Sequence, residues 1–241
     1  IRDVERSRGL GDVYKRQMPD ERNHLIEYFW RKEGEWERGI VDEPGSPRNH
    51  YDTTSMTTGP EGNPVLCYNA YEYGEFNECR IAWWNSDIAQ WNILVAEGHR
   101  KLHPVIDFNG DRLLCATYFD IYEAEPDVYY NRLIYAVYDG ETWEEEVVEE
   151  LLCTPYTERY QNACLMHDPL GQPVIAVSLL NEEDQSELYL FWRDAGDWYS
   201  QMLAAQGITG IHPSIAVDRE GNTYITYYDY TKSEVIIGVY E

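Results

Sequence analysis

The sequence predicts an all-β protein built from repeated four-stranded antiparallel sheets. A turn containing Gly, followed by an apolar strand, occurs four times, at Gly62, Gly110, Gly171 and Gly221. A second hairpin has an aromatic strand, a polar turn and then a strand that opens on Trp. This strand-opening Trp is found at Trp36, Trp91, Trp143 and Trp198. Because each repeat covers about fifty residues and shows no helical period, the pattern is typical of β-propeller blades.

Each full repeat divides into four strands, A to D, and the D–A connections join successive repeats. Strand A is predicted at 53–58, 103–106, 162–167 and 212–217. Full blades are predicted over 49–97, 103–150 and 157–205, with partial blades over 24–42 and 211–241. The acidic run 144–150 is predicted as strand D and not as a helix, because of its place in the repeat. The sequence therefore predicts about four to five blades.

One position in strand B is small in every repeat. Five residues after the repeated Gly lie Cys67, Cys115, Ala176 and Thr226. A small side chain at a fixed position indicates close approach of neighbouring sheets. We expect these four residues to superpose and to be buried.

Residues 1–17 are predicted to be a disordered, non-native leader. Residues 12–17 can be encoded by GAT GTG TAT AAG AGA CAG, which resembles the transposase-end adapter of DNA library preparation. Residues 1–3 fit a second reading frame of the same adapter. The alternative is a native polar leader. On the adapter interpretation, residues 18–241 are a fragment of a larger propeller from a metagenomic sequence.

Charge restricts the partners. The chain has 19 Lys and Arg against 44 Asp and Glu, a net charge of −25. Such a chain is repelled by phosphate backbones and anionic membranes, so neither nucleic acid binding nor membrane insertion is expected. A secreted or cell-surface location is favoured.

Metal and cofactor signals are weak. The five Cys show no zinc-ligand spacing. The predicted B–C loops are rich in carboxylates that can bind calcium, but they lack the spacing of a calcium loop. No cofactor is expected, and a solvated acidic rim is the preferred interpretation of these loops.

The turn sequences carry a resemblance to a known superfamily. The C–D turn at 139–143 reads Asp-Gly-Glu-Thr-Trp, and residues 212–218 read His-Pro-Ser-Ile-Ala-Val-Asp. These segments resemble the Asp-box, or BNR, repeats of sialidase-like β-propellers, although the leading Ser of the Asp box is missing. The resemblance implies the architecture, and it places no catalytic residue in this chain.

Five arginines form a candidate clamp for an anionic ligand. Three precede strand A and two begin strand C; they are Arg48, Arg100, Arg159, Arg80 and Arg132. Guanidinium groups bind carboxylates bidentately, as the arginine cluster of sialidase-like enzymes does. The alternative is that these arginines are solvated or balance the acidic rim.

Four further residues are candidate ligand contacts at the start of strand A. His103 and His212 occupy the same place, each before Pro, while Tyr51 and Tyr160 lie near it in the other two repeats. A His–Tyr pair can act as base and acid, and Tyr can stack on sugars. A structural role for the two His is the alternative, because recurrence in a repeat indicates architecture.

The function predicted from these features is a non-catalytic propeller that binds glycan or protein through its D–A and B–C loops. One alternative is a sialidase-like glycoside hydrolase or a polysaccharide lyase acting on an anionic glycan. The other is an interaction module of a larger secreted or surface protein.

Overall fold

A computed structural model describes residues 13–15, 25–32, 34–43, 50–72, 75–96, 101–126, 128–153, 162–181 and 185–240. Within these ranges there are eighteen strands in five antiparallel sheets and no helix. None of the described segments therefore forms a helix that would cross a membrane. The predicted all-β propeller fold with four-stranded blades is confirmed. The chain divides into two compact units, Ile1–Glu97 and Gly98–Glu241.

The N-terminal unit contains two sheets. The first has three strands in the order β1 (Val13–Lys15), β2 (Ile26–Lys32) and β3 (Glu35–Asp42). The second has four strands in chain order: β4 (His50–Thr58), β5 (Pro64–Glu72), β6 (Glu75–Asn85) and β7 (Gln90–Ala96). A shared apolar layer joins the two sheets and includes Ile26, Val41, Leu66, Tyr68 and Ala82.

The C-terminal unit contains three sheets. The third sheet comprises β8 (Lys101–Phe108), β9 (Leu114–Glu125), β10 (Val128–Tyr138) and β11 (Trp143–Cys153). The fourth comprises β12 (Asn162–His167), β13 (Pro173–Leu180), β14 (Ser186–Asp194) and β15 (Asp197–Ala204). The fifth has three strands, β16 (Ile211–Val217), β17 (Thr223–Asp229) and β18 (Glu234–Tyr240). The A strands β8, β12 and β16 lie side by side, as in successive propeller blades.

Apolar layers also join the sheets of the C-terminal unit. Phe119 and Leu133 of the third sheet pack against Ile175 and Val177 of the fourth. The fourth sheet packs in turn on the fifth through a layer that includes Ile225. Each fully buried aliphatic or aromatic side chain stabilises the fold by roughly 1.5–3 kcal/mol. The acidic strand D prediction is confirmed, since residues 144–150 lie within β11.

The A–B turns correct the alignment of the second repeat. In each turn the first residue donates its N–H to the carbonyl four residues later, as Asn109 does to Leu113. The fourth residue donates back to the carbonyl of the first and has a positive φ. This residue is Gly62 (84°), Arg112 (65°), Gly171 (78°) or Gly221 (92°). The prediction that Gly110 is the equivalent of these glycines is therefore wrong, because Arg112 takes the left-handed position.

The corrected alignment moves the small position of strand B by two residues. Thr117, and not Cys115, is equivalent to Cys67, Ala176 and Thr226. Cys67, Thr117 and Ala176 are fully buried, whereas Thr226 is half-buried. Cys115 is also buried, because a shift of two residues keeps a side chain on the same face of a strand.

The strand-opening tryptophans align across all four D strands. Their strand C partners are Arg31, Trp84, Tyr138 and Arg193, opposite Trp36, Trp91, Trp143 and Trp198 respectively. In the first and fourth sheets the last aromatic residue of strand C, Trp30 or Trp192, lies one residue before this Arg and therefore points to the opposite face. In those two blades the Arg donates from Nε to the carbonyl of the turn glycine, Gly34 or Gly196.

Part of the predicted leader joins the first sheet. Val13 pairs with Tyr28 and Lys15 with Ile26 in an antiparallel ladder. The expectation of a disordered leader is therefore wrong for β1, while the rest of 1–17 lies outside the described residues. The physical reason is that β2 offers unpaired backbone groups at its edge, where a strand B would otherwise pair. The non-native origin of this leader stays a prediction.

Candidate functional site

Four half-buried aromatic side chains form one wall of a pocket within the N-terminal unit. Tyr28 stacks on Trp30 with ring centroids 5.4 Å apart and meets Trp91 edge to face at 5.4 Å. Trp91 meets Trp84 edge to face at 5.6 Å. The pocket has a volume of about 640 Å³, which is the size of a small-molecule site.

Gly39 keeps this pocket open. It lies on β3 opposite Tyr28, and a Cβ atom at this position would lie 3.3 Å from the Trp30 ring. The Trp30 indole can therefore lie directly on the backbone of β3. Pro64 and Val41 also line the pocket, and both are buried.

One aromatic contact in the wall of the pocket repeats between blades. Tyr28 and Trp91 are equivalent, by strand register, to Tyr135 and Trp198 of the C-terminal unit. Tyr135 and Trp198 also meet edge to face, at 5.6 Å. The aromatic contact between a strand C and the next strand D is therefore part of the architecture.

The residues around that contact differ between the two units. Glu146 is the register equivalent of Gly39, and Arg193 is the register equivalent of Trp84. Glu146 and Arg193 form a salt bridge of 3.0 Å between the third and fourth sheets. In the N-terminal unit a glycine and a tryptophan replace these two charged residues. The replacement converts a salt-bridged position into an open aromatic pocket.

Polar groups lie at the mouth of the pocket. Glu37 and Gln90 line it, and both are exposed. Ala89, also in the lining, has a φ of 50° in the turn between β6 and β7. A left-handed conformation at a residue other than Gly costs roughly 1–2 kcal/mol, and such strain is often found at functional sites.

The pocket lies at the A–B and C–D turn end of these sheets. Pro64 follows the A–B turn, and Trp84 and Trp91 flank the C–D turn. The predicted binding face is formed by the D–A and B–C connections at the opposite end of the strands. Use of that face stays a prediction, because much of it lies outside the described residues.

Two of the five clamp arginines are described, and carboxylates already hold both. Arg80 binds Asp42 at 2.8 Å and Glu78 at 2.9 Å in the N-terminal unit. Arg132 forms an ion pair with Asp120, and its guanidinium lies 4.4 Å from the centroid of the Tyr122 ring. Arg48, Arg100 and Arg159 lie outside the described residues. The anion clamp thus stays a prediction, and its two described members favour the alternative of internal charge balance.

The two candidate histidines share an unusual backbone conformation. His103 and His212 both have a φ of 51°, at the points where β8 and β16 slip in register against their neighbours. His103 meets Phe119 edge to face at 6.5 Å, whereas His212 is exposed. A bulge at the same place in two blades favours a structural role. Tyr51 lies in β4 with its side chain outside the described set, and Tyr160 lies outside the described residues.

A buried polar network in the C-terminal unit was not predicted from the sequence. His167 Nδ1 lies 2.9 Å from Asp107 Oδ2, and its Nε2 lies 3.1 Å from the Tyr135 hydroxyl. That hydroxyl also donates to Cys115 Sγ at 3.1 Å. Burial alone would lower the pKa of His167. The hydrogen bond to the Asp107 carboxylate, together with Cys115, outweighs burial and raises this pKa to about 9.

A second buried charge lies at the start of strand A in the same unit. Lys101 is buried, donates to the Tyr118 hydroxyl at 2.7 Å and forms an ion pair with Glu145. Partial burial raises the pKa of Glu145, but the bonds from Lys101 and Tyr118 outweigh it and the net pKa is lowered. This cluster satisfies its own charges. Among the described residues there is no group of three or more His, Cys, Asp or Glu placed to bind a metal ion.

Comparisons with known proteins show the fold. No protein family and no curated protein matches this sequence. An α-L-arabinanase from Penicillium chrysogenum, solved with arabinobiose, aligns over 95% of this chain and 74% of its own, with 13% identity and a TM-score of 0.57. A protein of unknown function from Dyadobacter fermentans aligns over 80% of this chain with 10% identity and a TM-score of 0.55. The present chain spans 66% of the length of that protein.

Proposed function

We propose that the chain is a non-catalytic, glycan-binding β-propeller and that the aromatic pocket of the N-terminal unit binds a sugar. The observation that carries the proposal is the wall formed by Tyr28, Trp30, Trp84 and Trp91. The apolar C–H faces of sugar rings pack on aromatic side chains, which have a large and rigid contact surface. Glu37 and Gln90 supply acceptors and a donor for sugar hydroxyls at the mouth.

The internal repeat argues against a purely structural role for this aromatic wall. At the equivalent position of the C-terminal unit, the two neighbouring sheets are joined by the Glu146–Arg193 salt bridge instead. Replacement by Gly39 and Trp84 leaves large aromatic side chains only half-buried around an open volume. A local departure from a repeated packing arrangement is characteristic of a functional site.

In this proposal the Asp-box-like turns have a structural role and do not bind the ligand. Asp139 Oδ1 accepts hydrogen bonds of 2.7 Å from the N–H groups of both Glu141 and Thr142. The bond from the Thr142 N–H has the largest effect and that from Glu141 the next largest, and together they lower the pKa of Asp139. The carboxylate therefore closes its own turn, and we assign it no role in ligand binding.

The test compares two adjacent tryptophans on β6. Trp84 lines the pocket, whereas Trp83 points to the other face of the strand and is 37% exposed. A panel of neutral and acidic oligosaccharides, arabinobiose included, is screened first, and the best ligand is titrated by calorimetry. Trp84→Ala should weaken binding by about 2 kcal/mol, roughly 30-fold in Kd, while Trp83→Ala should leave the Kd unchanged.

Circular dichroism of both variants separates loss of a contact from loss of the fold. Binding of no sugar by the wild-type chain would refute the proposal, as would equal weakening by the two folded variants. Release of new reducing ends from any member of the panel would support the hydrolase alternative instead.

A further inference from the structure

Resting on the proposed function, we infer that the pocket selects neutral glycans and discriminates against glycans that carry carboxylates. This ligand class differs from the anionic glycan expected for an arginine clamp. The inference follows from the charged residues of the N-terminal unit whose side chains the structure describes.

Glu37 is the one charged side chain among the described residues that line the pocket. The other lining residues are aromatic, aliphatic or, in Gln90, an uncharged amide. A ligand carboxylate in the pocket would therefore meet a like charge, and none of these described lining residues is a cation. The net charge of −25 adds a long-range repulsion of the same sign.

Three arginines of the N-terminal unit make contacts with groups outside the pocket lining. Arg31 donates from Nε to the Gly34 carbonyl, and Arg38 lies 3.4 Å from Glu27 in an ion pair. Arg80 is held by two carboxylates, Asp42 and Glu78. Breaking the Arg80 pairs to reach a ligand carboxylate would leave Asp42, which is only 11% exposed, without its cation.

Glu37 and Gln90 can both form hydrogen bonds with neutral sugars. A sugar hydroxyl can donate to the Glu37 carboxylate, and the Gln90 amide can both donate and accept. A hydrogen bond to a charged acceptor is stronger than one between neutral groups. The carboxylate that repels an acidic sugar therefore favours a neutral one.

The experiment compares neutral and acidic hexasaccharides by calorimetry at low ionic strength. A hexagalacturonate and its fully methyl-esterified neutral form are the matched pair, and cellohexaose and xylohexaose are further neutral ligands. The neutral ligand should bind at least about fivefold more tightly, the ratio expected for one like-charge contact at roughly 4 Å in water. Glu37→Gln should reduce this ratio toward one. High salt should also reduce the ratio of neutral to acidic ligand affinity for the wild-type chain, because salt screens the repulsion.

Glu144→Gln is the matched control. Glu144 has the register position of Glu37 in the third sheet, so the variant removes the same charge from a blade without this pocket. It should leave the ratio unchanged. Equal binding of both ligand classes by the wild type would overturn the inference and leave the proposed function standing. Tighter binding of the hexagalacturonate, or an equal effect of the two Glu variants, would also overturn it. Binding of neither class to the wild type would overturn both proposals.

Discussion

The ion pair between Asp107 and His167 should make the stability of the C-terminal unit depend on pH. The two residues belong to the third and fourth sheets and lie 2.9 Å apart, with the His167 side chain only 4% exposed. The pKa of His167 is about 9 in the folded chain against an ordinary value of 6.5. Because the folded pKa is the higher one, the stabilisation is complete below pH 6.5 and is lost as the pH rises through 9.

The size of the effect follows from the difference between these two pKa values. It corresponds to at most roughly 3 kcal/mol of unfolding free energy. Asp107→Asn removes the carboxylate while keeping the shape of the side chain. The variant should therefore lose up to roughly 3 kcal/mol of unfolding free energy relative to wild type at pH 6, since Cys115 also contributes to the shift, and much less at pH 10.

Urea unfolding followed by circular dichroism at both pH values measures this difference. Comparison at each pH cancels the titration of other groups, and Asp111→Asn, at an exposed site, is the control for loss of a carboxylate. A cost of Asp107→Asn that is the same at pH 6 and pH 10 would refute the linkage. So would an NMR titration that places the His167 midpoint below 6.5.

Two further predictions concern the repeat. Arg112→Gly should stabilise the chain by roughly 0.5–1 kcal/mol, because Gly adopts a φ of 65° without strain. Gly62→Ala should destabilise it by about 1 kcal/mol, because Ala disfavours the φ of 84° at this position, where open space means that no steric clash adds to the cost. Urea midpoints measure both, and an unchanged or lower midpoint for Arg112→Gly contradicts the turn alignment. Ala176→Phe should cost roughly 1–3 kcal/mol by overpacking a fully buried site, whereas Thr226→Phe at the half-buried equivalent should cost less. Equal melting temperatures for these two variants would contradict the assigned difference in burial between the two equivalent positions.

The sequence was informative about the fold because a propeller repeats its hydrogen-bond and packing requirements in every blade. The strand-opening Trp and the Gly turn mark those requirements, so the strands could be placed within a few residues. The error at Gly110 arose inside a single turn. Asn109 closes that turn through hydrogen bonds to the N–H groups of Asp111 and Leu113, and this turn tolerates Arg112 in the left-handed position.

The candidate site was less predictable because it depends on contacts between blades. Nothing in the local sequence distinguishes Gly39 from other strand residues. Its role in the pocket becomes visible only when its position is aligned with that of Glu146 in the third sheet. A register-corrected comparison of the repeats would have provided this signal. The pair formed by Asp107 and His167 spans 60 residues and two sheets, and no local motif marks it.

The most direct test of sugar binding in the aromatic pocket is an NMR titration of the indole N–H signals. The chain has 8 Trp, and Trp→Phe variants assign each indole signal to its residue. Addition of the best-binding neutral oligosaccharide should shift the signals of Trp30, Trp84 and Trp91. Those of Trp143, Trp192 and Trp198 should stay in place. Shifts confined to the second group, or no shift at saturating ligand, would contradict the account.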